Sequence, residues 1–256
     1  MPARDNNKGA RAERAKGGMR LRFVTVAVAA ALLAVPAIAQ IILTPEQRCA
    51  QGWGNDSIAA CSDVIGIGTG GAEISWAYFN RARAYFGLKL YASAVEDLNS
   101  VLKFNPNDAQ ALENRGLAQA ILGNTESAIK DFDKLVELEP NSADAYRERC
   151  WARTILGRDL NDALHDCSQA VTIKPNDAAA LDARCFVKYR GEAYDRAIPD
   201  CTAALAIDPN LASSLYIRGL AKLKMKDVDG GNADVVAAKQ INPIVAETYA
   251  SYGVRP

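Results

Sequence analysis

The stretch Asn-Pro-Asn-Asp at residues 105–108 decides the fold, because close variants of it return at a regular interval. The variants are Glu-Pro-Asn-Ser at 139–142, Lys-Pro-Asn-Asp at 174–177 and Asp-Pro-Asn-Leu at 208–211. Together with Pro243, their prolines are separated by 34, 35, 34 and 34 residues. Proline cannot continue a helix, and the Asn, Asp or Ser that follows it can cap the next one. The interval therefore predicts a series of two-helix units.

Superimposing the prolines defines five repeats with matching residue types at matching positions. Their boundaries are 75–108, 109–142, 143–177, 178–211 and 212–245. The fourth residue of each is large and suited to packing between helices: Tyr78, Leu112, Tyr146, Leu181 and Leu215. The eighth residue is small, which lets paired helices approach closely: Ala82, Gly116, Cys150, Cys185 and Gly219. The second helix supplies a matching small residue: Ala94, Ala128, Ala163, Ala197 and Gly231.

This pattern resembles the tetratricopeptide repeat (TPR) family. The resemblance implies an all-α fold, a TPR α-solenoid in which antiparallel helix hairpins build a right-handed superhelix. The sequence departs from the family at the eleventh position, which is often Tyr. That residue is Tyr85 in repeat 1, followed by Gln119, Arg153, Lys188 and Lys222 in the later repeats.

Two shorter segments flank the five repeats. Residues 40–74 are predicted to form a short helical hairpin that starts at Thr44-Pro45, followed by a glycine-rich connector at 66–71. Beyond the last repeat, residues 244–252 are predicted to be helical. Because stacked units need a polar end, residues 246–256 are expected to form a capping helix and tail that cover the last repeat.

The first 39 residues are typical of an export signal. A basic start precedes the apolar run from Phe23 to Val35, and Ala37 and Ala39 fit the small-x-small pattern of a cleavage site. Met19 is a candidate for the true start, because the signal has ordinary proportions from there. Cleavage after Ala39 predicts a periplasmic or secreted protein without stable membrane insertion. The alternative is membrane anchoring by an uncleaved signal.

The charge pattern bears on the partner. From Gln40 onward the chain has 23 Lys and Arg against 28 Asp and Glu, so the predicted folded part is mildly acidic. An acidic surface without a basic stripe repels phosphate backbones. The sequence therefore predicts no nucleic-acid partner.

Six cysteines in an exported chain favour disulfides. Each of three pairs lies evenly about a predicted turn: Cys49 with Cys61, Cys150 with Cys167, and Cys185 with Cys201. Residues equidistant from the turn of an antiparallel hairpin face each other, so we predict one bridge within each of three hairpins. The competing interpretation is a metal site, but zinc sites need closely spaced Cys or His and the chain has one His.

Every repeat carries an Arg at its seventh position and an Asp on its second helix, 16 or 17 residues later. The arginines are Arg81, Arg115, Arg149, Arg184 and Arg218, and the aspartates are Asp97, Asp131, Asp166, Asp200 and Asp234. Five equivalent carboxylates argue against one catalytic acid. We interpret them as structural ion pairs, formed within a repeat or between neighbours, whose disruption strands a charge.

In TPR proteins the first helices line the concave surface, mainly through their second, fifth, sixth, ninth, twelfth and thirteenth residues. By resemblance, this groove includes Phe79, Arg83, Phe86, Glu113, Leu117, Arg147, Trp151, Asp182, Phe186, Tyr189 and Tyr216. Aromatic and Arg side chains are common binding anchors. The alternative is that several of them pack between adjacent repeats.

The predicted function is an exported scaffold or adaptor whose groove binds an extended or helical segment of a protein or peptide. The alternative is a structural envelope component that self-associates and has no dedicated peptide ligand. We find no nucleophile with a base, no phosphate loop and no metal cluster. The sequence thus predicts neither an enzyme nor a cofactor, a metal site or a small-molecule substrate.

Overall fold

The computed structural model describes residues 43–52, 54–68 and 71–254. The predicted signal segment 1–39 and its cleavage site lie outside these residues. The described residues form thirteen α-helices and one short 3-10 helix. The α-helices are α1 Pro45–Gln51, α2 Gly54–Ile67, α3 Ser75–Gly87, α4 Tyr91–Phe104, α5 Ala109–Ile121, α6 Thr125–Leu138, α7 Ala143–Leu156, α8 Leu160–Ile173, α9 Ala178–Arg190, α10 Tyr194–Ile207, α11 Ala212–Lys224, α12 Val228–Ile241 and α13 Val245–Ser251. The 3-10 helix spans Ala72–Ile74.

The proline-containing stretches separate the repeats as the sequence predicts, and the last residues of three of them cap the following helices, whereas Leu211 makes no side-chain cap. The Asp108 carboxylate accepts a hydrogen bond from the Ala111 amide, and the Ser142 hydroxyl accepts one from the Ala145 amide. Asp177 does the same for α9. These bonds satisfy amide groups that a helix start leaves without partners.

The turn inside each repeat contains one residue in the left-handed region of φ. These residues are Lys89, Gly123, Gly157, Glu192 and Lys226, with φ between 60° and 82°. Repeat 3 has a second such residue, Asp159, in the turn that is one residue longer. The left-handed residue lets the chain reverse direction after the first helix, so the second helix returns antiparallel to it.

The two helices of each repeat approach closely at the eighth position. A Cβ atom added to Gly116 would lie 2.6 Å from the ring of Phe132, and one added to Gly219 would lie 2.8 Å from the Gly231 carbonyl oxygen. Each second helix then contacts the first helix of the next repeat. The hairpins therefore stack in series, and the observed fold is an all-α TPR solenoid.

The N-terminal hairpin α1–α2 packs onto repeat 1 through Cys49, Cys61 and Ala77, which are all buried. Helix α2 extends to Ile67, so the predicted glycine-rich connector is shorter than expected at its start. The helix continues through Gly66 although glycine is a poor helix former.

Helix α13 follows Pro243, as each first helix follows its proline. It contacts α11 and α12, and its side chains reach farther, to α9 and α7. The segment was expected to cover the last repeat; it contacts that repeat and extends beyond it. It turns back along the side of the solenoid that the first helices form.

Candidate binding groove

Buried ion pairs fix the register of the two helices within each repeat. The Nε and one terminal nitrogen of the seventh-position Arg donate to both carboxylate oxygens of the Asp, at 2.6–2.9 Å in all five repeats. The aspartates are buried, and the arginines keep between 15% and 23% of their side-chain surface exposed. This two-bond geometry holds planar groups in one orientation.

The same arginines also connect neighbouring hairpins. The second terminal nitrogen of Arg115 donates to Asn99 at 2.8 Å, and that of Arg149 donates to Asp133 at 3.1 Å. Arg81 reaches Ser62 of the N-terminal hairpin at 2.9 Å. Each acceptor lies on the preceding second helix. The arginines therefore act both within a repeat and between repeats.

The eleventh position holds a second cation in repeats 3 to 5, which the sequence interpretation missed. Arg153, Lys188 and Lys222 each donate to the aspartate of their own repeat, at 2.6–2.8 Å. In repeat 2 the corresponding residue is Gln119, whose Oε1 is buried and has no hydrogen-bond partner among the described residues. The change from Tyr to Arg or Lys at this position is visible in the sequence, but it does not show that the cation reaches the aspartate.

Disulfides join the residues that the symmetry about each turn pairs. Cys49 and Cys61 have Cα atoms 4.7 Å apart, Cys150 and Cys167 are 5.4 Å apart, and Cys185 and Cys201 are 5.3 Å apart. The last two bridges replace a small and a large apolar residue of other repeats, such as Ala82 and Leu98. They fasten the hairpins whose first helices, α7 and α9, line the groove.

An open cleft of about 340 Å³ lies across helices α5, α7 and α9. Its lining residues all come from first helices: Leu117, Ile121, Arg147, Glu148, Trp151, Ala179, Asp182 and Ala183. Leu117, Arg147, Trp151 and Asp182 were expected at the concave face. Ile121, Glu148, Ala179 and Ala183 were not named, although they occupy the thirteenth, sixth, second and sixth positions that face the groove in TPR proteins.

Carboxylates surround the one basic side chain that lines this cleft among the described residues. Arg147 donates to Asp144 at 2.5 Å and to Glu148 at 2.6 Å, and Asp177 lies 3.8 Å away. Burial by itself lowers the pKa of the Arg147 guanidinium. The hydrogen bond to Glu148 and the negative charges of Glu148, Asp144 and Asp177 have a larger effect, so the pKa is raised. Lys174 also pairs with Asp144 at 2.9 Å, so three carboxylates face two cations and the rim has a slight excess of negative charge around an apolar floor.

Glu113 lies beside this cleft, in a smaller one of about 160 Å³ that also includes Glu139 and Asp144. Burial raises the pKa of its carboxyl group, and the nearby charges of Glu148, Asp144 and Glu139 raise it further. The acidic character of the rim thus extends along α5.

The C-terminal end of the predicted groove is covered. Phe186, Tyr189 and Tyr216 keep 1%, 7% and 1% of their surface exposed and pack in one cluster with Val245 and Tyr249. The prediction that these three side chains line an open groove does not hold in this structure, because Tyr249 packs on Phe186 and Tyr216, and Tyr189 packs on Tyr194 of α10. They match the alternative of internal packing.

Three further predicted groove residues lie near the N-terminal end. Phe79 and Phe86 are partly buried against the core of repeat 1, and the ring of Phe86 contacts Tyr91 at 5.1 Å between centroids. Arg83 is exposed and lines a small pocket with Ala50 and Gly52 of the N-terminal hairpin. These residues are separate from the cleft on α5, α7 and α9.

Comparisons with known proteins agree with this architecture. Residues 81–150 match the family described as Tetratricopeptide repeat. No curated protein sequence matches the chain significantly. MamA from Desulfovibrio magneticus is similar in structure, with a TM-score of 0.57 and 20% identity over 66% of this chain and 95% of that one.

Two other solved structures show the same likeness. TTC0263, a TPR protein of Thermus thermophilus, has a TM-score of 0.58 and 22% identity over 70% of this chain and 97% of that one. YrrB, described as a TPR protein with an unusual peptide-binding site, has a TM-score of 0.54 and 17% identity over 77% of this chain and 100% of that one. The stacked hairpins, the family match over residues 81–150 and these structures together show that the chain has the tetratricopeptide repeat fold.

Proposed function

We propose that this protein is an exported interaction scaffold that binds a segment of another protein in the cleft on α5, α7 and α9. The cleft carries the proposal, because apolar and aromatic side chains that are at least partly exposed converge there on three neighbouring helices. Ile121 keeps 50% of its surface exposed, and the half-buried Leu117 and Trp151 line the cleft with it. Such convergent apolar groups with a polar rim are typical of binding sites.

The charges define the partner more closely. Around Arg147 lie the carboxylates of Asp144, Glu148 and Asp177, and Asp182 faces the same cleft. A bound segment is therefore expected to place one or two apolar side chains on the floor of the cleft and Lys or Arg at its flanks. The peptide-binding site described for YrrB, a protein of the same fold, supports this type of ligand.

The cysteines support export. All six lie among the described residues and are paired, and disulfides persist in oxidising compartments such as the periplasm. Within the described residues, no helix is long and apolar enough to span a membrane. We propose cleavage after Ala39. N-terminal sequencing of the exported protein should start at Gln40, and an intact signal would contradict this proposal.

The groove is tested with a matched pair of substitutions. Ile121→Asp places a charge at the cleft, whereas Ile207→Asp places one on α10, at a residue with 47% exposure against 50% for Ile121. A partner is first captured from envelope extract with the wild-type protein, identified by mass spectrometry and purified. Its Kd should rise at least about tenfold for Ile121→Asp and stay unchanged for Ile207→Asp. Equal affinities for all three proteins would show that the cleft is not the binding surface.

Self-association is the second candidate function, and the end of the solenoid favours it. Val236, Ile241 and Ile244 expose 55%, 44% and 62% of their surface there. Against it, Lys239 occupies the position of Leu102 and Val136, which are buried against the next repeat. Light scattering at several concentrations separates the two candidates, because a strict monomer excludes a self-associating scaffold.

A further inference from the structure

The C-terminal segment, residues 244–254, lies on the same side of the solenoid as the cleft. Val245, Tyr249 and Tyr252 are spaced at i, i+4 and i+7, so they form one face of α13 and its last turn. This spacing is typical of a helical ligand that places its anchors in a groove.

Each anchor has a defined contact. The ring of Tyr249 lies 5.1 Å from that of Phe186 on α9 and 5.5 Å from that of Tyr216 on α11, measured between centroids. The ring of Tyr252 lies 5.6 Å from Trp151 on α7, edge to face. The segment thus crosses three successive first helices and ends at Trp151, which also lines the open cleft.

Polar contacts accompany these rings. Arg190 donates to the Tyr252 carbonyl oxygen. Beneath Tyr249, the Asp182 carboxylate accepts hydrogen bonds from Ser213 and Ser214. Burial raises the pKa of Asp182, and these two hydroxyl groups partly offset the effect. Asp182 lines both the open cleft and the cleft beside the C-terminal segment, so the two surfaces are continuous.

The attachment of this segment is local. Helix α13 has seven residues, and a helix of that length is not stable in water by itself. It therefore depends on its side-chain anchors, and residues 242–244, which connect it to α12, are where the chain would have to rotate for it to leave the groove. Such local opening requires less free energy than global unfolding.

We propose that the surface formed by Trp151, Phe186 and Tyr216 is a binding site for an amphipathic helix with aromatic residues three apart, and that the C-terminal segment is its built-in occupant. A partner helix of this pattern binds by displacing the segment. The inference rests on the proposed function, since it assumes that the first-helix side binds protein segments. It adds the ligand pattern and the competition.

The test uses a synthetic peptide of residues 242–254 and the full chain carrying Tyr249→Ala. This substitution removes the chain's own anchor and leaves its contacts on Phe186 and Tyr216 available to the peptide. In the wild type, the tethered segment competes at an effective concentration in the millimolar range, so the peptide should bind the variant at least about tenfold more tightly. Fluorescence anisotropy of a labelled peptide gives both Kd values.

Two controls make the result specific. A peptide in which both tyrosines are replaced by alanine should not bind. The chain variant Tyr146→Ala loses a partly buried tyrosine of α7 that packs in a different cluster, and it should bind the native peptide no better than the wild type. Equal binding to all three chains, or binding of the alanine peptide, would overturn the proposal.

A second variant covers the case in which Tyr249→Ala unfolds the chain. Tyr252→Ala removes a half-buried anchor at the edge of the groove and should also increase peptide affinity. Peptide binding to neither variant overturns the inference. That failure is distinguishable from failure of the proposed function, because the effect of Ile121→Asp on partner binding is measured without this peptide.

Discussion

Repeats 2 and 3 form the same hairpin and hold it together differently. At the closest approach of the two helices, repeat 2 places Gly116 against the ring of Phe132, whereas repeat 3 joins Cys150 to Cys167. At the buried aspartate, repeat 2 supplies one cation to Asp131 among the described residues. Repeat 3 supplies two cations, because Arg149 and Arg153 both pair with Asp166.

The difference shows that the 34-residue spacing determines which positions meet, while the residue types there determine how strongly they are held. In repeat 2 the contact depends on shape, because any side chain at Gly116 would overlap Phe132. In repeat 3 a disulfide joins the two helices at this position, and the buried aspartate pairs with two cations instead of one. Since α7 of repeat 3 supplies Arg147, Glu148 and Trp151 to the cleft, the more constrained hairpin is also the one that positions the candidate site.

The disulfide accounts for the largest expected difference. Cys150→Ala combined with Cys167→Leu gives repeat 3 the pair that repeat 1 has at Ala82 and Leu98. The fold should persist, but the unfolded chain gains the freedom that the loop of 17 residues had removed. The free energy of unfolding should fall by about 3 kcal/mol, measured by urea denaturation.

The control for this prediction is the corresponding change in repeat 4, Cys185→Ala with Cys201→Leu. Its loop has 16 residues, so the loss should be nearly the same. A loss far below that for either double variant would mean that the apolar pair packs well enough to replace the bridge.

The second prediction concerns the ion pairs. Arg115→Ala leaves Asp131 buried without a cation and should cost about 2 to 3 kcal/mol, below the range for a fully buried pair because Arg115 is partly exposed. Arg149→Ala removes its bonds to Asp166 and Asp133 but leaves Arg153 on Asp166, so it should cost about 1.5 kcal/mol, the lower end of the range for hydrogen bonds to charged groups. Thermal unfolding of both variants gives the order, and an equal loss would show that the second cation does not compensate.

Much of this arrangement could be predicted from the sequence because it repeats. Proline and glycine mark where helices end, and residues equidistant from a turn face each other, so Cys150 could be matched to Cys167 without coordinates. Whether Arg115 pairs within its repeat or with a neighbour stayed open until the structure showed both contacts. The position of α13 could not be predicted in this way. Pro243 looks like the four earlier prolines, and the path after it depends on Phe186 and Tyr216, which are distant in sequence.

The bonds between repeats were also beyond the sequence. The acceptors Asn99, Asp133 and Thr202 share a position, but they differ in residue type, so no pattern of charge marks them. Likewise, whether an eleventh-position cation reaches the buried aspartate depends on the distance between paired helices, which only coordinates supply.

The third prediction converts repeat 2 toward the later repeats. Gln119→Lys removes a buried oxygen without a partner and places an ammonium group where Lys188 donates to Asp200 at 2.6 Å. The free energy of unfolding should rise by about 1 kcal/mol, the size of a net hydrogen bond. Gln119→Leu is the control. It removes the same oxygen without adding a charge, so a larger gain for Leu than for Lys would contradict the role assigned to the second cation.

The smallest expected effect lies in the turns. Repeat 2 turns at Gly123, whereas repeat 3 needs Gly157 and also Asp159, with φ of 56° and no side-chain capping bond within the described residues. Asp159→Gly removes the close contact between the Cβ atom and the following carbonyl oxygen in this conformation. Glycine also makes the unfolded chain more flexible, which offsets part of the gain. The net gain should be about 0.5 kcal/mol. Glu192→Gly in repeat 4, with φ of 60°, should gain at least as much, because Glu lacks the short side chain with which Asp tolerates this region. A loss of stability in both variants would show that Asp159 and Glu192 are not strained in this conformation, and that each fits its turn as well as Gly123 fits the turn of repeat 2.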